Sequence, residues 1–204
     1  MKTRNLVMLL TAGAVLMAIL AGACNSASKP SGHPYAGAVI DPPQVMEDFV
    51  LIDQHGQDFR LSDHLNPLAL IFFGYTYCPD VCPTTLADMV RLKRTLGVRA
   101  DDVTFLMVTV DPERDTPEVL GRRLALFDPA FVGLTGERTV LQRIWKDFGV
   151  TVLREEVGGS ATGYLMAHSA YMYLVDQERR LRLLFPFGTP PEDIAGDFVK
   201  ILQR

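Results

Sequence analysis

From Asp48 onward, apolar and polar positions fall into short blocks of changing period. FVLID and DFRLS alternate and are separated by QHGQ, which predicts a β-hairpin. His55 falls in its turn and His64 just past its second strand, both expected to be exposed. The continuous run LALIFFGYT, Leu68 to Thr76, has the length of a strand buried on both faces. Beyond it, Leu86, Met89, Val90, Leu92 and Leu96 trace a helical stripe that stops at Gly97. Val103 to Val110 is a second buried strand. DTPEVLGRRLALF predicts another helix, with Asp115 or Thr116 as cap and Pro117 in the first turn. Of the two, Asp115 is the expected cap.

A third helical pattern spans about Glu137 to Phe148 and carries Trp145. TVLREEVGGSATGYLMAHS then reads as turn-rich. AYMYLVD, Ala170 to Asp176, and LRLLFPF read as strands about a turn at DQERR. PPEDIAGDFVKILQR opens on prolines and acids and predicts a C-terminal helix. A strand–helix–strand start that ends in a hairpin and helix predicts a thioredoxin-like α/β fold. Its mixed central sheet carries helices on both faces and an N-terminal β-hairpin. With no internal repeat, residues 44–204 read as one domain.

The N-terminus follows different rules. A basic start with Lys2 and Arg4, the apolar run LVMLLTAGAVLMAIL and the small residues AGA predict a signal peptide over 1–23. The alternative is an uncleaved anchor helix, since the apolar run is near the lower limit for a span. The small residues end at Cys24, which resembles a bacterial lipoprotein signal and would make Cys24 the lipid anchor, although Ala21 stands where a leucine is usual. Residues 24–43, rich in Ser, Pro, Gly and Ala and containing His33, read as a flexible tether. Fully extended, it would reach on the order of 60 Å at about 3.3 Å per residue. Either anchor puts the domain on the extracytoplasmic side of a bacterial membrane.

The net charge is −4, and residues 1–23 carry two basic and no acidic groups, so without them it is −6. No basic stripe with interleaved aromatics occurs, which sets nucleic acid aside.

The candidate chemistry lies in FFGYTYCPDVCPTTLADM. Cys78 and Cys82 stand four apart between a buried strand and a helix that should begin near Asp80. That spacing puts both sulfurs on nearly one side of the first turn. Amides at a helix N-terminus favour thiolate, the form needed for disulfide exchange and for metal ligation alike. The dithiol oxidoreductase spacing has two intervening residues and this pair has three, so a disulfide, a metal site and two core cysteines stay open. The prolines after both cysteines favour an exposed loop over the core. Two thiolates would suit a soft ion such as Cu(I).

Three blocks, GYTYCPDVCPTTLADM, TVDPERDTP and AHSAYMYLVD, resemble those of the Sco/SenC copper proteins, from about Asp48 to the C-terminus. The resemblance implies a thioredoxin-like domain holding one copper, Cu(I) or Cu(II), through Cys78, Cys82 and His168. It further implies delivery to the dinuclear copper site of cytochrome c oxidase subunit II, with an upstream copper donor or thiol reductant as a further partner. The alternative is a thiol–disulfide reductase that keeps the acceptor cysteines reduced, with Cys78 and Cys82 as its redox-active pair. His168 is expected to open the late strand. Asp111 is a candidate to orient a ligand from behind. Tyr75, Tyr77 and Met166 are expected to pack.

Overall fold

The computed structural model describes residues 34–157 and 163–203. The expected signal or anchor and the first half of the tether, with Cys24 and His33, lie outside them. The strands are β1 (Ala38–Val45), β2 (Val50–Asp53), β3 (Asp58–Arg60), β4 (Leu68–Gly74), β5 (Val103–Thr109), β6 (Val132–Thr135), β7 (Val152–Glu156), β8 (Tyr164–His168), β9 (Tyr171–Asp176) and β10 (Arg180–Pro186). The helices are α1 (Val81–Leu96), α2 (Pro117–Leu124), α3 (Arg138–Asp147) and α4 (Pro191–Leu202).

Eight strands form one mixed sheet in the order β1-β10-β9-β4-β5-β6-β2-β3. β4 runs parallel to β5, β5 parallel to β6, and β4 antiparallel to β9. All seven residues of β4 are buried, as an unbroken apolar run in a covered central strand should be. Phe72 and Phe73 project to opposite faces. Cys82, at the head of α1, lies against Gly74 on the Phe72 face. Phe148, just past α3, packs its ring on Phe73 and Tyr173 on the other. Both faces are therefore covered, and the fold is thioredoxin-like.

Four features depart from the sequence pattern. β1 takes up residues 38–43, assigned above to the tether, by pairing Ala38 and Val39 with Leu184 and Leu183 of β10. The register breaks between Val39 and Gln44, which brackets Pro42 and Pro43, residues a sheet tolerates at its edge. β6 is an unanticipated short strand. β7 and β8 pair with each other as a separate two-stranded sheet where only turns were expected. His168 accordingly closes β8 and does not open β9. Finally, α2 is capped by Thr116, whose hydroxyl accepts from the Val119 amide, and not by Asp115, which turns inward.

Candidate dithiol–histidine site

β4 ends at Gly74, and the cysteine loop leaves from its C-terminal edge beside that of β5, with which it runs parallel; α/β sheets place ligand sites at such edges. The loop is fixed from below. Thr76 donates its amide (3.2 Å) and hydroxyl (2.5 Å) to Asp115, and Thr109 Oγ1 donates to the same carboxylate at 2.6 Å. Asp115 is fully buried, and burial pushes its carboxyl up from the ordinary range against these three donors. The Val110 amide closes on the Gly74 carbonyl at 2.9 Å.

Both thiols turn inward. Cys78 is 9% and Cys82 1% exposed, and both belong to the hydrophobic core, which corrects the expectation of an exposed loop. The neighbouring Tyr77, Pro79 and Asp80 stay exposed. Gly74 makes this inward turn feasible, since a Cβ there would lie 3.1 Å from Cys82 Sγ and 2.5 Å from the Phe72 ring. The Cys82 amide, at the first turn of α1, donates to Cys78 Sγ at 3.3 Å. The pair is electrically asymmetric. Cys78 is brought down to about 4, first by hydrogen bonding with Cys82 and then, against burial, by His168 and the Asp80 and Cys82 amides. Cys82 is pushed up, first by its bond to Cys78, then by burial and by the neighbouring negative charge. The asymmetry favours charge on Cys78, with Cys82 as its hydrogen-bonding partner.

His168 completes the constellation from 86 positions away, its Nε2 lying 3.7 Å from Cys82 Sγ. Its Nδ1 lies 3.1 Å from the Ser169 carbonyl. A carbonyl can only accept, so Nδ1 donates to it, while Nε2 is the ring nitrogen turned toward the sulfur. The imidazole meets the edges of the Phe72 and Tyr75 rings at 6.2 and 6.1 Å between centroids.

Among the described residues, no three His, Cys, Asp or Glu side chains form a ready-made metal cage. The chemistry of the donors nevertheless suits a soft ion. Two sulfurs and one imidazole are a soft-to-borderline set.

Asp111 bonds to the arm that carries His168. Fully buried, it accepts from the Tyr164 hydroxyl at 2.8 Å and pairs with Arg114. The Tyr164 phenol, pushed up to about 12 by burial first and then by that bond, stays protonated and is the donor. Met166 is buried and packs, as expected; its amide donates to Tyr75 Oη at 3.2 Å. Asp115, Arg114 and Tyr164 carry site contacts that residue patterns did not reveal. The alternation of YLMAH was the available signal for β8.

Together, a thioredoxin-like sheet, a buried dithiol at the head of a helix and an imidazole against it define a thiol–imidazole member of the thioredoxin-like folds. The SCO1/SenC family model matches residues 38–203. A SCO2-like protein of Rickettsia felis is 35% identical over 170 residues, covering 82% of either chain. Among solved structures, copper-bound ScoI of Bradyrhizobium japonicum matches with TM-score 0.70 and 35% identity over 77% of this chain and 99% of that one. Apo Sco1 of Thermus thermophilus matches with TM-score 0.73 and 34% identity over 84% and 99%. The chain belongs to the SCO1/SenC family.

Proposed function

We propose that the protein is a copper metallochaperone that binds one copper through Cys78, Cys82 and His168. The approach of His168 Nε2 to Cys82 Sγ at 3.7 Å carries this reading, because disulfide exchange needs no imidazole there. The copper bound by the B. japonicum relative supports the choice of ion. Two thiolates and an imidazole suit Cu(I) and, with a further ligand, Cu(II). The acceptor follows from the family resemblance: the dinuclear site of cytochrome c oxidase subunit II, on the extracytoplasmic side, with the domain held at the membrane through lipid on Cys24 or an N-terminal helix. Among the described residues no helix is long and apolar enough to cross a membrane.

The asymmetry of the pair favours a second reading beside the first. A Cys78 thiolate can attack an acceptor disulfide to give a mixed disulfide, which neutral Cys82 resolves after losing its proton. The acceptor gains two electrons, and the pair is left oxidised.

Copper stoichiometry after gel filtration of the reduced protein, beside His168→Ala, tests the ligand set. One retained copper in the parent and loss of Cu(II) in the variant, with dithiol oxidation intact, is the expected result. Full Cu(II) retention in the variant would exclude the three-ligand site.

A further inference from the structure

β8 brings His168 to the thiols, yet β7 and β8 share no backbone ladder with the main sheet. Backbone bonds hold the C-terminal end of this arm, from Ser169 to Thr151 and from Phe187 to Ala170, and toward Tyr164 side chains tie it down, Arg154 of β7 stacking on the Tyr164 ring and pairing with Glu113. Tyr164, Met166 and His168 lie on one face of β8 by its period of two. Tyr164 and Met166 are buried and His168 half-buried. The Met166 amide is held by Tyr75 Oη of the cysteine loop. At Tyr164 the clasp is Arg114. Its Nη1 donates to the Tyr164 carbonyl at 3.1 Å, its Nε donates to buried Asp111, and its guanidinium lies 3.6 Å from the Tyr164 ring centroid. Asp111 accepts in turn from the Tyr164 hydroxyl. The same guanidinium reaches the rings of Tyr77 (4.8 Å) and Tyr75 (5.7 Å), which flank the cysteine loop.

We infer that Arg114 is a positioning residue that registers the His168 arm against the cysteine loop. Its bonds run to Tyr164 and Asp111 and its ring contacts to three tyrosines; it ties the loop after β5 to the start of β8 and to the tyrosines beside Cys78. A planar, multiply donating cation can stack on Tyr164 while bonding both its carbonyl and Asp111, whereas a lysine supplies charge without that fork. The consequence for copper rests on the ligand reading above; the placement of the arm does not.

The test is amide hydrogen exchange in the metal-free, reduced full chain, comparing wild type with Arg114→Lys. Exchange over residues 164–168, and at Met166 above all, should accelerate at least tenfold, with α1, β4 and β5 unchanged. Exchange at wild-type rates in β8 would overturn the inference, as would uniform acceleration across the fold, the mark of a merely structural residue. If Arg114→Lys does not fold, Tyr164→Leu keeps the Arg114–Asp111 pair and removes the ring beneath the guanidinium. It should loosen the same five residues, and unchanged protection there overturns the inference equally. In Arg114→Lys, Cu(II) affinity should fall at least tenfold while both thiols still oxidise as a pair. Loosened β8 with wild-type copper affinity would refute the ligand role of His168 and leave the positioning role of Arg114 standing.

Discussion

Titrating Cys78 in the reduced, metal-free protein puts the electrostatics of the site to a quantitative test. Its ionisation is brought from 9.0 to about 4. At pH 7 a thiol of pKa 9.0 is about 1% ionised, so Cys78 presents roughly a hundredfold more thiolate. Thiolate nucleophilicity falls with pKa at a slope of about 0.4–0.5, which over this drop removes a factor of about 100 to 300. The two effects nearly cancel. Cys78 should therefore react at pH 7 about as fast as an ordinary thiol, and the rate alone is uninformative. The pH profile discriminates: an ordinary thiol gains about tenfold per pH unit up to about 8.5, whereas Cys78 should be flat from about pH 5 upward until Cys82 ionises.

The assay is the ultraviolet absorbance of thiolate against pH, for wild type and Cys78→Ser, with site-resolved alkylation alongside. One thiolate at pH 7 that disappears on acidification through about 4, and is missing from Cys78→Ser, is the expected result. A first ionisation near the ordinary cysteine value would refute the claim that Cys82, His168 and the helix amides stabilise charge on Cys78. The sign for folding follows from linkage. A depressed acid ionisation stabilises the fold fully above the unfolded-state pKa, and the contribution is lost as pH falls through about 4. Wild type should gain stability relative to Cys78→Ser as pH rises across that window.

Two further substitutions probe the support of the site. Asp115→Ala leaves the Thr76 amide and the Thr76 and Thr109 hydroxyls without their acceptor, and should destabilise by about 1–3 kcal/mol in urea denaturation; an unchanged midpoint would mean that the carboxylate does not hold the loop. Gly74→Ala puts a methyl group 2.5 Å from the Phe72 ring and 3.1 Å from Cys82 Sγ, and should lower stability by about 1–3 kcal/mol; a wild-type melting temperature would contradict the close approach of α1 to β4.

What could be read from residues divides along physical lines. β4, α1, β5 and α3 were legible because each keeps one hydrophobic period along its length; α3 runs Arg138–Asp147 inside the expected 137–148. β1 was hidden by Pro42 and Pro43, which mark loops in isolation but are accommodated at the sheet edge by pairing with β10. The β7–β8 hairpin was hidden by the Gly- and Ser-rich residues between its strands, which outweighed the short alternations flanking them. Burial of the thiols was misread for a related reason. Cys78–Pro79 does lie in irregular backbone, but Cys82–Pro83 stands in the first turn of α1, and the inward turn of Cys82 depends on the space left by Gly74. Residue type and spacing alone gave Cys78 and Cys82 as alternatives among three chemistries, and His168 entered only through the family resemblance. Arg114 was silent because an arginine in an acidic turn looks like a solvated charge, whereas here its side chain is 14% exposed.

The two halves of the site are held by different means, and this bears on how one protein could serve two chemistries. Cys78 and Cys82 belong to the core and to the first turn of α1, and moving them would disrupt packing around Gly74 and Phe72. His168 sits on an arm whose own ladder is confined to β7 and β8 and whose register relies on Arg114, Asp111 and Tyr75. Opening of that arm would break no central strand pairing, and its cost would be the exposure of Tyr164 and Met166 and the loss of the contacts to Arg114, Asp111 and Tyr75. On the proposed function, a docked arm gives a three-donor site suited to holding copper, and an undocked arm leaves a dithiol suited to exchange. The chemistry at any moment would then follow from the position of β8, while the cysteine pair itself stays where the core has put it.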